Sequence, residues 1–429
     1  MLRFKLILLF SFVLLSEFKA FASKFELIPG NHEIGMRTRY QVIDDAWLGN
    51  AKAFTTRINL TSTFLLDDNQ QWKFKIQPNY VFAFNDGDYN SVTIQKNTSP
   101  IPDPQGFNLS KIYLSYDSDK NWQLKLGRQN LAFNNERFIG GVDFWQTPQT
   151  FDAFKFDYND QINLRVQYAY SSKVHRIFGK NSTLAVSKDD IRYNDYLAGT
   201  IENKPLNELG EHSINAHFLN VEYKTDDNLS IVVYDYLVEN KTQPLFSTQT
   251  FGVRISDELK PGKLKYRYTV EHALQQDQYN NPHDYQAWYS LLQASIQYKS
   301  HLFELSQEIF SETDNSAIFI TPLGTNHKFQ GWADVFTGYG LNTGLRDQYF
   351  TYKGRDKKLR WRFVFHHFKD YVTGVNIGNE FDIELGYRAT RKWEFKLIFA
   401  SYKTKNGLDS FPRTKHDITS WFASVAYNI

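Results

Sequence analysis

Residues 71–84 read QWKFKIQPNYVFAF, and this stretch decides the fold. Its aromatic side chains and Ile76 all stand at even positions, whereas its lysines, Gln77 and Asn79 stand at odd positions. A period of two is typical of a β-strand whose two faces meet different surroundings. The stretch therefore predicts a strand that lies between an apolar and a polar environment.

The same alternation recurs as far as the last residue, and no helical period of useful length interrupts it. The pattern predicts eighteen strands at 33–43, 52–66, 71–84, 107–117, 121–132, 150–158, 161–171, 213–226, 228–239, 247–256, 263–273, 286–298, 300–311, 345–353, 356–370, 378–389, 391–404 and 414–429.

The connections between these segments alternate in length. Short polar turns such as 67–70 and 118–120 alternate with the long connections 85–106, 133–149, 172–212, 274–285 and 312–344. Short turns at one rim and long loops at the other are typical of outer-membrane barrels. We therefore predict an all-β fold, a transmembrane up-and-down antiparallel β-barrel of about 18 strands with long extracellular loops and short periplasmic turns. An even strand count places both termini on the periplasmic side.

The first 22 residues have a different character. Arg3 and Lys5 precede the ten-residue apolar run 6–15, and Ala20-Phe21-Ala22 matches the small-residue pattern of a cleavage site. This order is typical of a secretory signal peptide. The predicted organisation is a signal peptide at residues 1–22 and an integral outer-membrane barrel at residues 23–429.

Composition excludes several classes of protein. The absence of cysteine excludes disulfide scaffolds and thiolate chemistry, and an aromatic content of 17% argues against a disordered chain. No run of 18 apolar residues is present, which argues against membrane-spanning helices. The formal net charge is +2, or zero without residues 1–22, so nothing indicates a nucleic-acid partner.

The sequence contains no recognisable catalytic motif. It lacks G-x-S-x-G and Walker A patterns, and His32-Glu33 is not followed by the second histidine of H-E-x-x-H. His366 and His367 are adjacent in a predicted strand and so face opposite sides. We predict that the protein is not an enzyme and carries no metal or other cofactor.

If the apolar positions face lipid, the opposite positions face the lumen. Fifteen basic residues then line it: Arg37, Arg39, Arg57, Lys73, Lys75, Lys111, Lys125, Arg165, Arg254, Lys265, Arg267, Arg360, Arg362, Arg388 and Lys396. Six acids share these positions: Glu271, Glu304, Glu308, Asp382, Glu384 and Glu394. Such an excess inside a low-dielectric wall would attract anions. The alternative is that the charges of a wet lumen simply pair with one another.

Two segments depart from plain alternation. Residues 126–154 read LGRQNLAFNNERFIGGVDFWQTPQTFDAF, and residues 324–349 read GTNHKFQGWADVFTGYGLNTGLRDQY. These blocks resemble the alginate export porin family, whose members show G-R-Q, R-F-x-G-x-x-x-W-x-Q and F-D-A in one block and H-K-F-x-G-W-A-D in the other. The resemblance implies a passive outer-membrane channel that exports an anionic polysaccharide such as alginate.

Arg128 stands on the apolar side of its predicted strand, next to Gly127. A lipid-facing arginine at mid-membrane would cost roughly 2–4 kcal/mol. Either a bulge at Gly127 turns Arg128 inward or Arg128 lies above the apolar band. The aromatic loop 312–344 is expected to fold into or over the pore, where it either braces the barrel or gates it.

From these observations we predict a polar constriction formed by Arg128, Arg137, Lys328 and Asp334, with Lys328 and Asp334 holding the loop to a charged wall. The complete set of predicted pore-lining residues is Arg128, Gln129, Arg137, Asp152, Lys328, Asp334, Arg39, Arg57, Lys75, Lys125, Arg165, Arg267, Arg360 and Arg362.

The expected partners are an anionic polysaccharide or oligosaccharide, outer-membrane lipid and periplasmic export proteins. Two other functions remain open at this point. One is a general or small-anion porin, and the other is a soluble β-rich carbohydrate-binding protein, whose strands would also alternate.

Overall fold

A computed structural model of the chain describes residues 28–225, 229–312, 318–336 and 344–429. The predicted signal peptide at residues 1–22 lies outside the described residues. Within them, no helix has the length and apolar character that crossing a membrane requires.

Eighteen strands make up a single sheet. They are β1 (Ile28–Asp45), β2 (Ala51–Leu65), β3 (Trp72–Ala83), β4 (Gly106–Asp117), β5 (Trp122–Gln129), β6 (Thr150–Asn159), β7 (Leu164–His175), β8 (Glu211–Lys224), β9 (Ser230–Asn240), β10 (Thr248–Leu259), β11 (Leu264–Asp277), β12 (Gln286–Tyr298), β13 (His301–Phe310), β14 (Leu345–Asp356), β15 (Leu359–Asp370), β16 (Asn376–Arg388), β17 (Trp393–Thr404) and β18 (Ile418–Asn428). A short helix, α1 (Tyr193–Leu197), lies between β7 and β8, and 3-10 turns occur at Leu206–Glu208, Pro244–Phe246, Asn326–Lys328 and Pro412–Lys415.

The sheet closes on itself. Every strand pairs antiparallel with its neighbours in sequence, and β1 pairs with both β2 and β18. Arg39, for example, lies opposite Thr55 on one side and Ser424 on the other. The predicted eighteen-stranded up-and-down barrel is confirmed, with each predicted segment found in one strand.

The two faces of the wall differ as the alternation predicts. Large apolar side chains on the outer face are widely exposed, as for Leu126 at 61% and Leu305 at 65%. A soluble sandwich or propeller would bury such side chains in a core. A closed barrel with an apolar exterior instead places them against lipid, which excludes the soluble alternative.

The long connections lie together at one rim. The segments 84–105, 130–149, 176–210 and the described parts of 311–344 join strands there, whereas the opposite rim has short turns such as 118–121 and 299–300. The ends of β1 and β18 that carry the termini also lie at the short-turn rim, since Gly35 pairs with Asn428. The chain is an integral outer-membrane protein in which this rim is periplasmic.

Local irregularities have identifiable causes. Pro78 has no N–H to donate, and the register between β3 and β4 shifts between Gln77 and Pro78. Further shifts occur at Asp152/Ala153 in β6 and at Ser171/Lys173 in β7. These bulges lie towards the long-loop rim, where β7 extends to His175, beyond its predicted end at residue 171.

Candidate functional site: the plugged lumen

The connection between β5 and β6, residues 130–149, crosses the lumen and is called here the Phe144 loop. At one end Phe133 packs on Phe218 and Tyr236 of β8 and β9, with ring centroids 6.0 and 5.8 Å apart. Further along, Phe144 packs on Phe422 of β18 at 5.2 Å. Because β9 and β18 are nine strands apart in a closed sheet of eighteen, the loop reaches from one wall to the opposite wall.

Residues 318–336, called here the Trp332 loop, also fold into the barrel. Phe319 packs on Tyr289 of β12 at 5.7 Å, and Phe336 packs on Phe368 of β15 at 4.4 Å. The expectation that the long aromatic connection enters the pore is therefore met by its described residues. Residues 313–317 and 337–343 of the predicted loop lie outside them.

The two loops meet inside the barrel. The rings of Phe144 and His327 stack with centroids 3.5 Å apart. The backbone N–H of Thr325 donates to the carbonyl of Glu136 at 2.9 Å, and the N–H of Gly140 donates to Leu323 at 3.0 Å. Backbone hydrogen bonds and ring stacking thus join the loops into one plug.

Arginines of β1 and β2 hold the Phe144 loop. Arg37 donates through Nε to Oε1 of Gln146 at 3.0 Å and through Nη1 to the carbonyl of Asp143 at 2.9 Å. Arg57 donates to the carbonyl of Gln146 at 3.1 Å. Arg39, which is only 1% exposed, donates to a loop carbonyl at 2.7 Å and also lies 3.3 Å from Asp103.

Carboxylates hold the Trp332 loop on a different part of the wall. Glu380 of β16 accepts the backbone N–H of Ala333 at 2.6 Å. Glu308 of β13 accepts from the side chain of Gln330 at 2.6 Å and lies 3.7 Å from the guanidinium of Arg137. Among the described residues, no group of three or more His, Asp or Glu side chains is arranged to hold a metal ion.

The plug divides the lumen into cavities. A vestibule of about 530 Å³ is lined by Arg37 and Arg57, by Lys396 and by both loops. A cavity of about 210 Å³ on the extracellular side lies between the Phe144 and Trp332 loops and the upper wall. His327 and Trp332 line both spaces, so these two side chains separate them.

Lumen-facing cations on β1 to β5 have few acidic partners. In the described part of the chain, none of Arg37, Arg57, Lys75, Lys111 and Lys125 has a carboxylate oxygen within 4.0 Å. Lumen cations elsewhere are mostly paired. These pairs are Arg165–Asp157, Arg254–Glu271, Arg267–Glu258, Arg360–Glu394, Arg362–Glu384 and Lys396–Glu384. Most lumen cations that lack a direct carboxylate partner therefore lie on one side of the wall.

The sequence-based count of lumen charges omitted several acidic residues. Further carboxylates stand on the inward side, among them Asp45, Asp117, Asp157, Glu222, Glu258, Asp347, Asp370 and Glu380. The expected charge imbalance is thus smaller than the sequence count, and much of the lumen follows the alternative interpretation of paired charges.

Arg128 and Asp152 do not line the pore, so their predicted placement is wrong. Arg128 pairs with Asp152 at 2.8 Å, and the register of β5 with both neighbours is unbroken there. The neighbouring Phe151 is fully buried against the lumen-facing Phe218, so Asp152 points outward. His175 lies 2.9 Å from Asp152 on the same outer face. Arg128 therefore lies towards the extracellular end of β5, above the apolar band, which was the second of the two alternatives.

The other predicted constriction residues lie inside the barrel, but their partners differ from those expected. Lys328 donates to the carbonyl of Asn135 in the Phe144 loop at 2.9 Å. Asp334 accepts from His327 of its own loop at 2.8 Å. Joint anchoring of the loop by Lys328 and Asp334 stays a prediction. Arg137 lies within the plug, 2% exposed, between the rings of Phe310 and Phe329.

The remaining predicted pore residues face inward. Gln129 is buried and donates to the carbonyl of Ala153 at 2.9 Å. The predicted bases Arg39, Arg57, Lys75, Lys125, Arg165, Arg267, Arg360 and Arg362 stand on the inward side of their strands.

Sequence reasoning did not single out Gln146, Phe144 and His327 as plug residues, although each lies within one of the two blocks that carry the family resemblance. Gln146 is fully buried and binds Arg37, Thr55 and Asp103, which are far apart in the sequence. Arg413, in the connection between β17 and β18, lines the upper cavity 3.6 Å from Asp45. Burial lowers the pKa of the Arg413 guanidinium, and Asp45 opposes that shift.

A closed barrel with an apolar exterior, a charged lumen and an internal plug defines a porin-like channel of the outer membrane. Solved structures of this architecture include OpdK of Pseudomonas aeruginosa with vanillate, with a TM-score of 0.64 and 12% identity over 93% of this chain and 98% of that chain. OpdO of the same organism has a TM-score of 0.65 and 13% identity, covering 94% of this chain and 98% of that chain. OccAB2 of Acinetobacter baumannii has a TM-score of 0.64 and 12% identity, covering 93% of this chain and 98% of that chain. Likeness at this identity establishes the fold.

The family follows from the sequence. The profile described as alginate export matches residues 31–301, nearly two thirds of the chain. The chain therefore belongs to the alginate export family. The matched range contains the first of the two blocks and ends before the second. No curated protein sequence matches the chain.

Proposed function

We propose that this channel passes anionic saccharides, either oligosaccharides or a polysaccharide of the alginate type, across the outer membrane. Membership of the alginate export family supports a carboxylated sugar as the cargo. The observation that carries the proposal is the row of cations on β1 to β5 that have no carboxylate within 4.0 Å among the described residues. A row of cations without direct carboxylate partners on a low-dielectric wall attracts anions and releases them again, because no single site holds them tightly.

The arrangement of this row fits stepwise movement of carboxylates. Lys75 lies opposite Thr63 and Tyr113, towards the periplasmic rim. Lys111 follows opposite Gln77, and Arg57 lies opposite Arg37 beside the plug. A polyuronate has one carboxylate on each ring, so several of its charges would face the row at once.

Reconstitution in planar bilayers tests the proposal. The parent channel should prefer anions in reversal-potential measurements, and Lys75→Gln and Lys111→Gln should each reduce that preference. The preference should also weaken as salt is raised, because the Debye length falls from ~10 Å at 0.1 M to ~3 Å at 1 M. Cation preference of the parent at low salt would contradict the proposal.

A small-anion porin is the second candidate function. The cavities beside the plug are small, at about 530 and 210 Å³. The similar OpdK barrel was solved with vanillate, a small aromatic carboxylate. Liposome swelling separates the candidates. A carboxylated trisaccharide should enter faster than a neutral trisaccharide if saccharides are the cargo, whereas entry of small carboxylates alone would favour the second function.

We further propose that residues 1–22 are removed on export, leaving residues 23–429 as the barrel, and that periplasmic export proteins meet the short-turn rim. N-terminal sequencing of protein purified from outer membranes should begin at Ser23. A start at Met1 would show that the segment is retained as an anchor.

A further inference from the structure

Arg37 and Arg57 are directly opposite each other on β1 and β2, and both line the vestibule. Both guanidiniums bind residues 143–146 of the Phe144 loop. Arg37 reaches the carbonyls of Asp143 and Trp145 and the side-chain oxygen of Gln146, and Arg57 reaches the carbonyl of Gln146 at 3.1 Å.

Every one of these acceptors is neutral. Neither guanidinium has a carboxylate within 4.0 Å in the described part of the chain. A carboxylate pairs with a guanidinium through two parallel charge-assisted hydrogen bonds and neutralises its charge, which a single carbonyl oxygen does not do. Two neighbouring cations that hold only carbonyl oxygens would therefore bind a carboxylate in their place.

Arg39, one step further along β1, provides the contrast. It also donates to a loop carbonyl, that of Phe144, but it already has Asp103 at 3.3 Å and is 1% exposed. A ligand carboxylate in the vestibule would compete for Arg37 and Arg57 and would not reach Arg39.

We propose that Arg37 and Arg57 form a carboxylate-binding site whose ligand displaces residues 143–146 and so loosens the plug. The ligand is a saccharide that carries carboxylates on successive rings. The proposal rests on the proposed function, since it requires that anionic saccharides enter the vestibule. The ligand would arrive along Lys75 and Lys111, which precede the arginine pair on the wall.

Displacement at this point acts on the centre of the plug. Phe144 lies within the displaced segment and stacks on His327 at 3.5 Å. His327 is one of the two side chains that separate the vestibule from the upper cavity. Withdrawal of residues 143–146 therefore removes the ring that stacks on His327 and loosens the partition between the two spaces.

A spin label tests the proposal directly, because the chain has no native cysteine. Asp143→Cys provides one exposed thiol in the loop, and Lys180→Cys provides one in the connection between β7 and β8. A trisaccharide of uronic acids should increase the mobility of the label at position 143 and leave the label at 180 unchanged. Maltotriose, a neutral trisaccharide, should change neither label.

Variants identify the site. Arg57→Gln should shift the half-maximal response to at least tenfold higher trisaccharide concentration. Lys353→Gln should respond like the parent, because Lys353 is a lumen cation on β14 that pairs with Glu304 at 3.5 Å. If Arg57→Gln does not assemble, Arg57→Lys replaces it. Arg57→Lys should weaken the response, because lysine lacks the fork that binds a carboxylate through two parallel bonds.

Three results would overturn the inference: an unchanged label at position 143, an equal response to maltotriose, or a full response in the Arg57 variant. Each is distinct from failure of the proposed function, which is measured as loss of anion preference in bilayers without any label. If the channel prefers anions but the label at position 143 does not respond, the proposed function stands and the proposed displacement of residues 143–146 is wrong.

Discussion

Arg128 and Arg137 lie in the same sequence block, yet their surroundings give their charges different roles. Arg128 lies on the outer face with a side chain 23% exposed, and its partner Asp152 also has His175 at 2.9 Å. Arg137 is 2% exposed inside the plug, and its partner Glu308 is 1% exposed. When one member of a solvent-exposed ion pair is removed, water solvates the remaining charge. When one member of a buried pair is removed, the remaining charge has neither a partner nor water.

We therefore expect Arg137→Ala and Arg128→Ala to behave differently. Loss of Arg137 leaves Glu308 buried with only neutral partners and should destabilise the plug by about 3 kcal/mol, at the low end for a broken buried pair. Arg128→Ala should cost about 1 kcal/mol or less. Single-channel recording should show increased noise and conductance for the Arg137 variant and parental traces for the Arg128 variant. If the Arg128 variant showed the increased noise and conductance and the Arg137 variant showed parental traces, the constriction would lie at β5.

Asp190 makes one extracellular contact sensitive to pH. It accepts from the guanidinium of Arg192 at 2.8 Å and from the backbone N–H of Gln95 at 2.9 Å, and so ties the segment 176–210 to the segment 84–105. Burial alone would raise the pKa of Asp190, but the hydrogen bonds and the charge of Arg192 outweigh burial and lower the pKa below its usual value. A carboxyl group whose pKa is lowered in the folded state stabilises the fold at pH values above its unfolded-state pKa. This stabilisation is lost as the pH falls through the folded-state pKa.

Lowering the pH through the folded-state pKa of Asp190 should therefore loosen the contact between segments 176–210 and 84–105. Asp190→Asn should have the same effect at neutral pH, with amide hydrogen exchange near Gln95 faster by about tenfold, equivalent to ~1.4 kcal/mol. Lys403 and Asp417 form an exposed pair at the same rim, and Asp417→Asn serves as the matched control. Equal exchange in the Asp190 variant and the parent would show that other contacts hold the segments together.

At the scale of elements, the Trp332 loop depends on a close approach to β16. Gly331 has φ +81°, and a Cβ at this position would lie 2.3 Å from a carboxylate oxygen of Glu380. The same carboxylate accepts the N–H of Ala333 at 2.6 Å. Glycine is thus required both for the backbone conformation and for the space.

Gly331→Ala should displace the Trp332 loop from the wall and raise single-channel conductance. Gly374 is the matched control, since it has φ +70° in an extracellular turn, and a Cβ added there would have no heavy atom within 4 Å. Gly374→Ala bears the backbone strain without the clash and should conduct like the parent. Equal behaviour of the two variants would mean that backbone strain, and not contact with Glu380, sets the position of the loop.

The strands were predictable because each depends on its own alternation. Trp72 to Phe84 identify β3 without reference to any other segment. The plug was predictable only in part. Its aromatic content indicated that it packs inside, but the partners of Gln146 and Lys328 lie in other elements and leave no local pattern. Arg128 is a similar case. Its position in the alternation indicated that it lies on the outer face, but it could not indicate that Asp152 of the neighbouring strand pairs with it there.

For the whole molecule, the arrangement of charge matters more than its sum. Five lumen cations of β1 to β5 have no carboxylate within 4.0 Å among the described residues, whereas the buried carboxylates Glu308, Asp347, Glu380 and Asp382 lie on β13 to β16. The plug is held between these regions, by arginines at one wall and by carboxylates at the other. A count of lumen residues by sequence parity could not show where the unpaired cations lie, because pairing across strands depends on the register.

The asymmetry of the rims gives the final prediction. Long loops gather at one end and both termini at the other, so the two ends should differ in their accessibility on intact cells. Lys180 is exposed in the connection between β7 and β8, and Asp68 is exposed in the turn between β2 and β3. In this cysteine-free chain, a membrane-impermeant maleimide should label Lys180→Cys on intact cells and should label Asp68→Cys only after the outer membrane is opened. A reagent larger than the lumen is needed, since a small one would reach Asp68 through the channel. Labelling of Asp68→Cys alone on intact cells would invert the topology, and the row of cations leading to Arg57 would then face the cell exterior.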